Sequence, residues 1–585
     1  MNVRLLIGLL LAAVAAQGEV DWARLNIAAR EHAKTPIRAG VPGVRPFWNA
    51  HAKAFIHPPA FEFPEVKGAT AYHFVLMAAD PGRAASPRPP SARSASAPYH
   101  AWVAHKPWLP VPADVWDSLK PGYYTLKVEN LGEATLLSLP ATERSGKSAA
   151  SPKDSRERTF YRAAVFQGPY PKGACDYRAA ARRVYAAVYN LPQVQGWKTS
   201  DDPPKGYDLY CYPAKIMSSM IRALVRYSTG GSRSCATADA QERIPPDADE
   251  ALRIARKMAD WLIAHSQPAD APLAHFPPTY WGDRRDVAVK NAGQNMLLYP
   301  AHAALAYLEL ADAGRAGAPR PPSARSASAP YQKYRAAALA IARTYAKLQG
   351  ADGTWPLKVC EKDGSPVRAN RLVPGRYILG LFDRVEQAHT GGSRCCATAD
   401  AQQRVPPSLF AQTRDRAFAY VLDGPVKTWN WDGQFEDMDP MPPYTNLQKG
   451  CAVDTAIRLF AQGRIAEGCE LVDWCEDQFV VWSDPIHNMD WKHWKTPTAL
   501  EQYDYYTPID ASMGDMIGAF AAAYKATGNA LYLEKAKALA DNITRNQRPD
   551  GTIPTYFDSR RGSDWVNCMV YVADRLEALA DVMEK

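Results

Sequence analysis

The sequence predicts a mainly α-helical fold of six helical hairpins, preceded by a small antiparallel β-sandwich. Three observations carry that reading. From about residue 172 onward, apolar residues recur at helical spacing in twelve stretches. The connections between those stretches alternate between long and short. Ahead of them, residues 46–168 hold short alternating strands punctuated by Gly and Pro. A length of 585 residues leaves room for two or three domains. With 47% hydrophobic and 22% charged residues, the whole chain is not disordered, collagenous or a coiled coil.

The first element is a targeting signal. Arg4 supplies a positive start, residues 5–16 an apolar core, and Ala13-Val14-Ala15 a small-residue cleavage pattern. The apolar run is too short to cross a bilayer, so residues 1–18 read as a secretory signal peptide. The chain is therefore expected to be secreted or periplasmic, with no membrane span. Residues 19–45 form an N-terminal extension. Export permits disulfides. Seven cysteines lie outside the repeated blocks described below, an odd number, and no CxxC pair occurs. One or two bridges are allowed, with no pairing assigned, and a zinc ribbon or disulfide scaffold is excluded.

In the β region, the run 61–69 leads into residues 71–76, where Tyr72, Phe74 and Leu76 alternate. Further strands are expected at 102–105, 123–129 and 160–166. This pattern predicts the sandwich. The phrase from Pro59 to Phe74, of the form PxFxFPxVxGAxxYxF, resembles fibronectin-type-III-like modules that precede catalytic domains in exported polysaccharide-degrading enzymes.

Helices are expected near 176–190, 210–228, 249–266, 293–312, 331–349, 374–387, 409–422, 449–462, 464–481, 508–527, 530–547 and 563–583. The odd-numbered ones are followed by long connections. The even-numbered ones are followed by short turns, or by repeated low-complexity blocks. Residues 87–99 and 319–331 share PRPPSARSASAPY, and 229–246 nearly matches 390–407. The spacings differ, so these are insertions and not a structural period. Arg83, Arg88, Arg93, Arg315, Arg320 and Arg325, in or beside the first pair, account for six of the eight excess positive charges. The rest of the chain is near neutral, which argues against a nucleic-acid partner.

A second phrase recurs at the outer-to-inner connections: 348–356 reads LQGADGTWP and 546–554 reads NQRPDGTIP, with a degraded version at 264–278. Together with the alternating connections, it resembles the (α/α)6 toroid of the six-hairpin glycosidase and polysaccharide-lyase superfamily over residues 172–585. The resemblance implies a substrate cleft at the end bearing the long loops. A toroid alone does not fix an activity.

That end also gathers the chemistry. Residues 429–440 place Asp432, Glu436, Asp437 and Asp439 beside Trp429 and Trp431. Glycoside hydrolysis needs one carboxylic acid and one carboxylate, so Asp432, Glu436 and Asp437 are the acid and base candidates, with capping or solvation as the structural alternative. The following connection carries His487, Asp490, Trp491, His493, Tyr505 and Tyr506. A lyase would use a His or Tyr base, here His487 with Tyr505. His487, Asp490 and His493 have a metal-like spacing, but Pro485 and the aromatics favour a loop, and no metal or cofactor is assigned. Sugar-stacking candidates are Tyr207, Tyr280, Trp281, Trp355, Trp431, Trp491 and Tyr556; Trp355 and Trp281 are equally suited to plugging the core. Arg376, His493 and Tyr506 complete the binding set. No Walker loop, dinucleotide fingerprint or nucleophile elbow is present. The sequon at Asn542 lies inside an expected helix.

The expected function is that of an exported glycoside hydrolase acting on an oligo- or polysaccharide. The alternatives are a uronate-directed lyase or epimerase, and an inactive glycan-binding protein.

Overall fold

The computed structural model describes residues 19–584, except 44–46, 49–51, 80–99, 132–155, 231–244, 317–328, 370, 391–407, 432–448, 484–493, 503–506 and 559–563. Twelve helices build the larger part. They are α1 (Tyr177–Asn190), α2 (Pro213–Ser228), α3 (Ala248–Ala264), α4 (Tyr299–Ala316), α5 (Ala329–Leu348), α6 (Arg376–Thr390), α7 (Leu409–Val421), α8 (Lys449–Ala461), α9 (Ile465–Phe479), α10 (Asp510–Thr527), α11 (Ala530–Asn546) and α12 (Val566–Met583).

Even-numbered helices form an inner ring: α2 packs on α4, α4 on α6, α8 on α10, α10 on α12, and α12 back on α2. Between α6 and α8, Asp454 Oδ2 accepts from the Arg376 backbone N–H at 2.8 Å, and Cys451 Sγ lies 3.5 Å from the Val373 carbonyl. Each inner helix also packs on the outer helix that follows it, and α12 packs on α1. This is the expected (α/α)6 toroid. Its inner helices are apolar nearly all round, as helices buried on both sides must be. On α10, twelve residues are buried, from Asp510 to Ala523.

Local signals start and stop these helices. Asp176 Oδ1 caps α1 through the Ala179 N–H at 2.9 Å, and Ser408 caps α7 through Ala411. Pro213 opens α2, where its missing N–H costs nothing. The two DGT phrases are one structural device used twice. Gln349 Nε2 donates to the Gly353 and Thr413 carbonyls at 2.7 and 2.8 Å. Gln547 Nε2 donates to the Gly551 and Ala180 carbonyls, both at 2.9 Å. Gly353 and Gly551 have φ of +88° and +90°, and a Cβ on either would come within 2.5 Å of the next outer helix's backbone oxygen. Only glycine fits there.

The fourth expected helix starts later than its apolar pattern suggests. Residues Gln294–Met296 instead form a strand paired with Lys358–Cys360, because Thr279 Oγ1 accepts from the Met296 N–H at 2.9 Å and Asn295 Nδ2 donates to the Pro277 carbonyl at 3.0 Å.

The β region differs from the expected sandwich. Among the described residues it is one sheet of five strands: β1 (Ala54–Phe55), β2 (Ala71–Ala78), β3 (His100–Ala104), β4 (Gly122–Leu131) and β5 (Arg156–Arg162), in the order β1-β5-β4-β2-β3. The β1–β5 pair is parallel and the others are antiparallel. The apolar run at 61–63 is not a strand. Phe61 and Phe63 cover the sheet face, together with Trp116 from a short helix at Ala113–Ser118. Trp116 stacks on Phe160 and donates to the Ile56 carbonyl at 2.8 Å. A helix and an extended segment thus cover the face that a second sheet would have buried.

The sheet docks on α9. Asp477 Oδ1 accepts from the Ile56 and His57 N–H groups at 2.6 and 2.7 Å. Asp473 accepts from Tyr532 at 3.0 Å and pairs with His32, on the helix Trp22–His32, at 2.9 Å. No disulfide joins the seven described cysteines. Asn542 is buried in α11, its amide donated to the Lys495 and Pro497 carbonyls. Among the described residues, no helix is long and apolar enough to cross a membrane. Most of the repeated blocks and residues 1–18 lie outside the described residues.

Candidate active site at the toroid mouth

All six inner helices begin at the same end, where the long connections arrive. Depth below that mouth follows from position along each helix at about 1.5 Å per residue. Asp454, Asp515 and Tyr571 each stand five residues after the first residue of α8, α10 and α12. They therefore share one layer, about 7.5 Å down. Arg376, the first residue of α6, reaches the same layer: its Nη1 is 3.2 Å from Asp515 Oδ1 and 3.8 Å from Asp454 Oδ1.

Tyr571 donates to Asp515 Oδ1 at 2.6 Å, and Arg575 Nε donates to the Tyr571 hydroxyl at 2.9 Å. Arg575 also pairs with Asp454 at 3.8 Å. The Arg376 guanidinium lies 3.8 Å from the Tyr571 ring centroid and 4.9 Å from that of Tyr377. A Cβ on Gly518 of α10 would stand 3.0 Å from the Arg575 guanidinium, so glycine there lets α12 bring its polar face to the axis.

The two carboxylates have unequal surroundings. Burial raises the Asp454 carboxyl above its usual range, against the pull of Arg376 and Arg575. Asp515 accepts from the Tyr571 hydroxyl and from Arg376 Nη1. Asp510, fully buried at the start of α10, is pushed well above the carboxylate range by burial, then by Asp564 and Glu501.

Beside this layer, His302 of α4 stacks on Tyr377 with centroids 4.3 Å apart. Burial, and then Arg222 and Arg376, hold its imidazole well below the usual pKa, so it is neutral. Deeper still, Arg222 bridges Glu309 at 3.1 Å and Asp574 at 2.6 Å, and Tyr185 donates to Asp574 at 2.9 Å. This second ionic layer floors the mouth.

The sequence-predicted residues separate into four groups. Arg376 lies at the centre. Trp281 is 44% exposed and edge-on to Trp261 and His265, while Tyr207 and Tyr556 are half-buried and Tyr280 is buried under the Lys358 ammonium. Trp355 and Trp431 belong to the core and not to a sugar platform. Trp355 is fully buried, donating to the Tyr345 carbonyl at 2.8 Å, and Trp431 is fully buried against Trp474. Asp432, Glu436, Asp437, His487, Asp490, Trp491, His493, Tyr505 and Tyr506 lie outside the described residues. Sequence reading missed Asp454, Asp515, Tyr571 and His302. For Asp454, Asp515 and Tyr571 the signal was a shared register on the inner helices, five residues after the start of each; His302, three residues into α4, does not share it.

No family model matches the chain, and no curated protein matches it. Among solved structures, it is similar to a family 76 glycoside hydrolase from a bovine Bacteroides thetaiotaomicron strain, at 9% identity and a TM-score of 0.38, over 88% of this chain and 93% of that one. It is similar to a D-mannose isomerase at 12% identity and a TM-score of 0.41, over 70% and 97%. An α-1,2-mannosidase from Trichoderma reesei shares 12% identity at a TM-score of 0.35, over 68% and 93%. The assignment of the toroid rests on the helix contacts described above.

Proposed function

We propose that the chain is a carbohydrate-active enzyme that hydrolyses glycosidic bonds at the toroid mouth, with Asp454 as the acid and Asp515 as the base. The observation that carries this reading is the pair of axial carboxylates in unequal surroundings. Both reach one nitrogen, Arg376 Nη1, which keeps them inside the upper limit of about 9.5 Å for an acid–base pair in glycosidases. Asp454, whose carboxyl burial raises, delivers a proton to the leaving oxygen, and Asp515, held by Tyr571 and Arg376, activates water or attacks the sugar. Asp432, Glu436 and Asp437, on the connection that leads into α8, are the competing acid and base candidates. Export of the chain is part of the same reading and rests on residues 1–18.

The test is digestion of neutral and acidic polysaccharides by the full chain, following reducing ends together with the ultraviolet absorbance of unsaturated uronates. Reducing ends without that absorbance are expected. Reducing ends with it would mean β-elimination and overturn hydrolysis. Binding without any cleavage would make the chain a glycan-binding protein.

A further inference from the structure

Asp454 is held from outside its own helix. The helix α6 begins at Arg376, and the residue before it is Gly375, which has no side chain with which to cap the helix. The opening N–H groups of a helix need acceptors from elsewhere. At α6 the acceptor comes from the next inner helix: Asp454 Oδ2 takes the Arg376 N–H at 2.8 Å. A helical side chain tilts toward the N-terminus of its helix, so Asp454, five residues into α8, leans back to the start of α6. Its other oxygen, Oδ1, stands 3.8 Å from Arg376 Nη1 and 3.8 Å from Arg575 Nη2, beyond hydrogen-bond length.

That arrangement depends on a bare backbone at Gly375. A Cβ there would stand 3.0 Å from Asp454 Oδ2 and 3.4 Å from Cys451 Sγ. The first approach is closer than a carbon and an oxygen pack without strain, so the carboxylate would have to withdraw from the Arg376 N–H. Gly375 lies outside the left-handed region. Alanine therefore fits its backbone, and the cost falls on Asp454. Gly450 of α8 faces Asp515 of α10 in a similar way, but a Cβ on it would stand 3.4 Å from Asp515 Oδ2, an ordinary contact.

We propose that Gly375 is a positioning residue for the acid: its bare backbone seats Asp454 Oδ2 on the first N–H of α6, which leaves Oδ1 as the oxygen that delivers the proton. The proposal rests on the hydrolytic reading above and adds how its acid is aimed. An oxygen that accepts a short N–H bond has a lone pair committed to it, so the proton of the neutral carboxyl goes to the other oxygen. The Oδ1–H bond breaks as the leaving oxygen gains the hydrogen, and the carboxylate left behind keeps its N–H bond. Arg376 Nη1, beside Oδ1, is also the nitrogen that Asp515 reaches at 3.2 Å. Proton-delivering oxygen and base are thus set around one guanidinium. Burial raises the Asp454 carboxyl; Arg376, Arg575 and the Arg376 N–H pull it down, and Asp515 pushes it up. The Cys451 thiol and the Tyr571 hydroxyl face it too.

The experiment compares the full chain with Gly375→Ala, Gly450→Ala, Asp454→Ala and the double variant that combines Gly375→Ala with Asp454→Ala. Urea unfolding gives the double-mutant cycle. Gly375→Ala is expected to lower the unfolding midpoint of the wild-type chain and to leave it unchanged once Asp454 is alanine. On a glycan that the wild-type chain cleaves, Gly375→Ala is expected to lower kcat about ten- to a hundredfold with KM within about twofold. The alkaline limb of its kcat–pH profile should move up by about one pH unit, because the retreating carboxylate loses the N–H bond that favours its charged form. Gly450→Ala should keep kcat within about twofold and the limb in place. An additive cycle, an unmoved alkaline limb, or an equal loss in Gly450→Ala would overturn the proposal. So would a double variant that fails to fold where Asp454→Ala folds, since the obstacle would then not be Asp454. Coupling in the cycle with no glycan cleaved would sink the hydrolytic reading and leave the seating of Asp454 by Gly375 standing. Asp454-dependent cleavage with an additive cycle would do the reverse.

Discussion

Buried charge is handled in opposite ways at the joint between the sheet and α9 and at the toroid mouth. Where the sheet meets α9, each carboxylate oxygen of Glu476 has a partner: Trp482 Nε1 at 2.9 Å and Lys535 Nζ at 2.6 Å. Asp473 is likewise held by His32 and Tyr532, and Asp477 by the Ile56 and His57 N–H groups. At the toroid mouth, by contrast, His302 is buried with neither nitrogen bonded among the described residues, and Arg376 Nε likewise has no partner among them. The carboxylates of the joint are complete without a ligand, although Arg162 Nε and Trp474 Nε1 beside them are open; at the mouth it is the His302 imidazole that is incomplete, on both nitrogens. Buried polarity alone does not mark a functional site.

The comparison breaks most visibly through Lys535, which is 3% exposed beside the equally buried Glu476. Lys535→Met leaves that carboxylate uncompensated and should cost about 3–5 kcal/mol of stability in urea unfolding. A loss below 1 kcal/mol would remove the contrast.

The pH dependence of the joint is the next test. Burial raises Asp477 to about 7 and lowers His57 to about 4. A raised carboxyl stabilises below its unfolded value, and that contribution is lost as pH rises through 7. A depressed imidazole stabilises above its unfolded value, and that contribution is lost as pH falls towards 4. The two slopes oppose each other. Asp477→Asn should leave stability rising with pH between about 4 and 6.5, and His57→Gln should leave it falling between about 4 and 7. Slopes of the same sign in both variants would contradict the assignment.

His302→Leu should leave stability unchanged or raised by up to about 1 kcal/mol, because it removes unsatisfied groups. Substantial destabilisation in thermal unfolding would return His302 to the structural class. The smallest effect is expected from deleting residues 319–328. The deletion leaves two residues between α4 and α5, enough for a helical hairpin turn. Stability should move by less than about 1 kcal/mol.

Much of this fold was legible in the sequence, because inner and outer helices both carry a 3.6-residue apolar pattern and the DGT turns repeat their glycine. The sheet was less so. Phe61 and Phe63 alternate like a strand yet cover the sheet face, and periodicity cannot separate a strand from an extended cover. Of the residues named from the sequence, Arg376 is the one that stands in the axial cluster of Asp454, Asp515 and Tyr571. Clustered carboxylates in a loop stand out, whereas Asp454, Asp515 and Tyr571 sit singly on three helices. They meet only when the ring closes at one register. Trp355 and Trp431 looked like sugar platforms because residue type does not report burial.

The most direct test of the central claim is the turnover of one cleaved glycan by the wild-type chain, Asp454→Asn, Asp515→Asn and Glu436→Gln, each checked for folding. The axial pair predicts losses of about 10²–10⁴-fold in the two aspartate variants and a change below tenfold in Glu436→Gln. Full activity in the aspartate variants with loss in Glu436→Gln would move the chemistry off the helix axis and contradict the account.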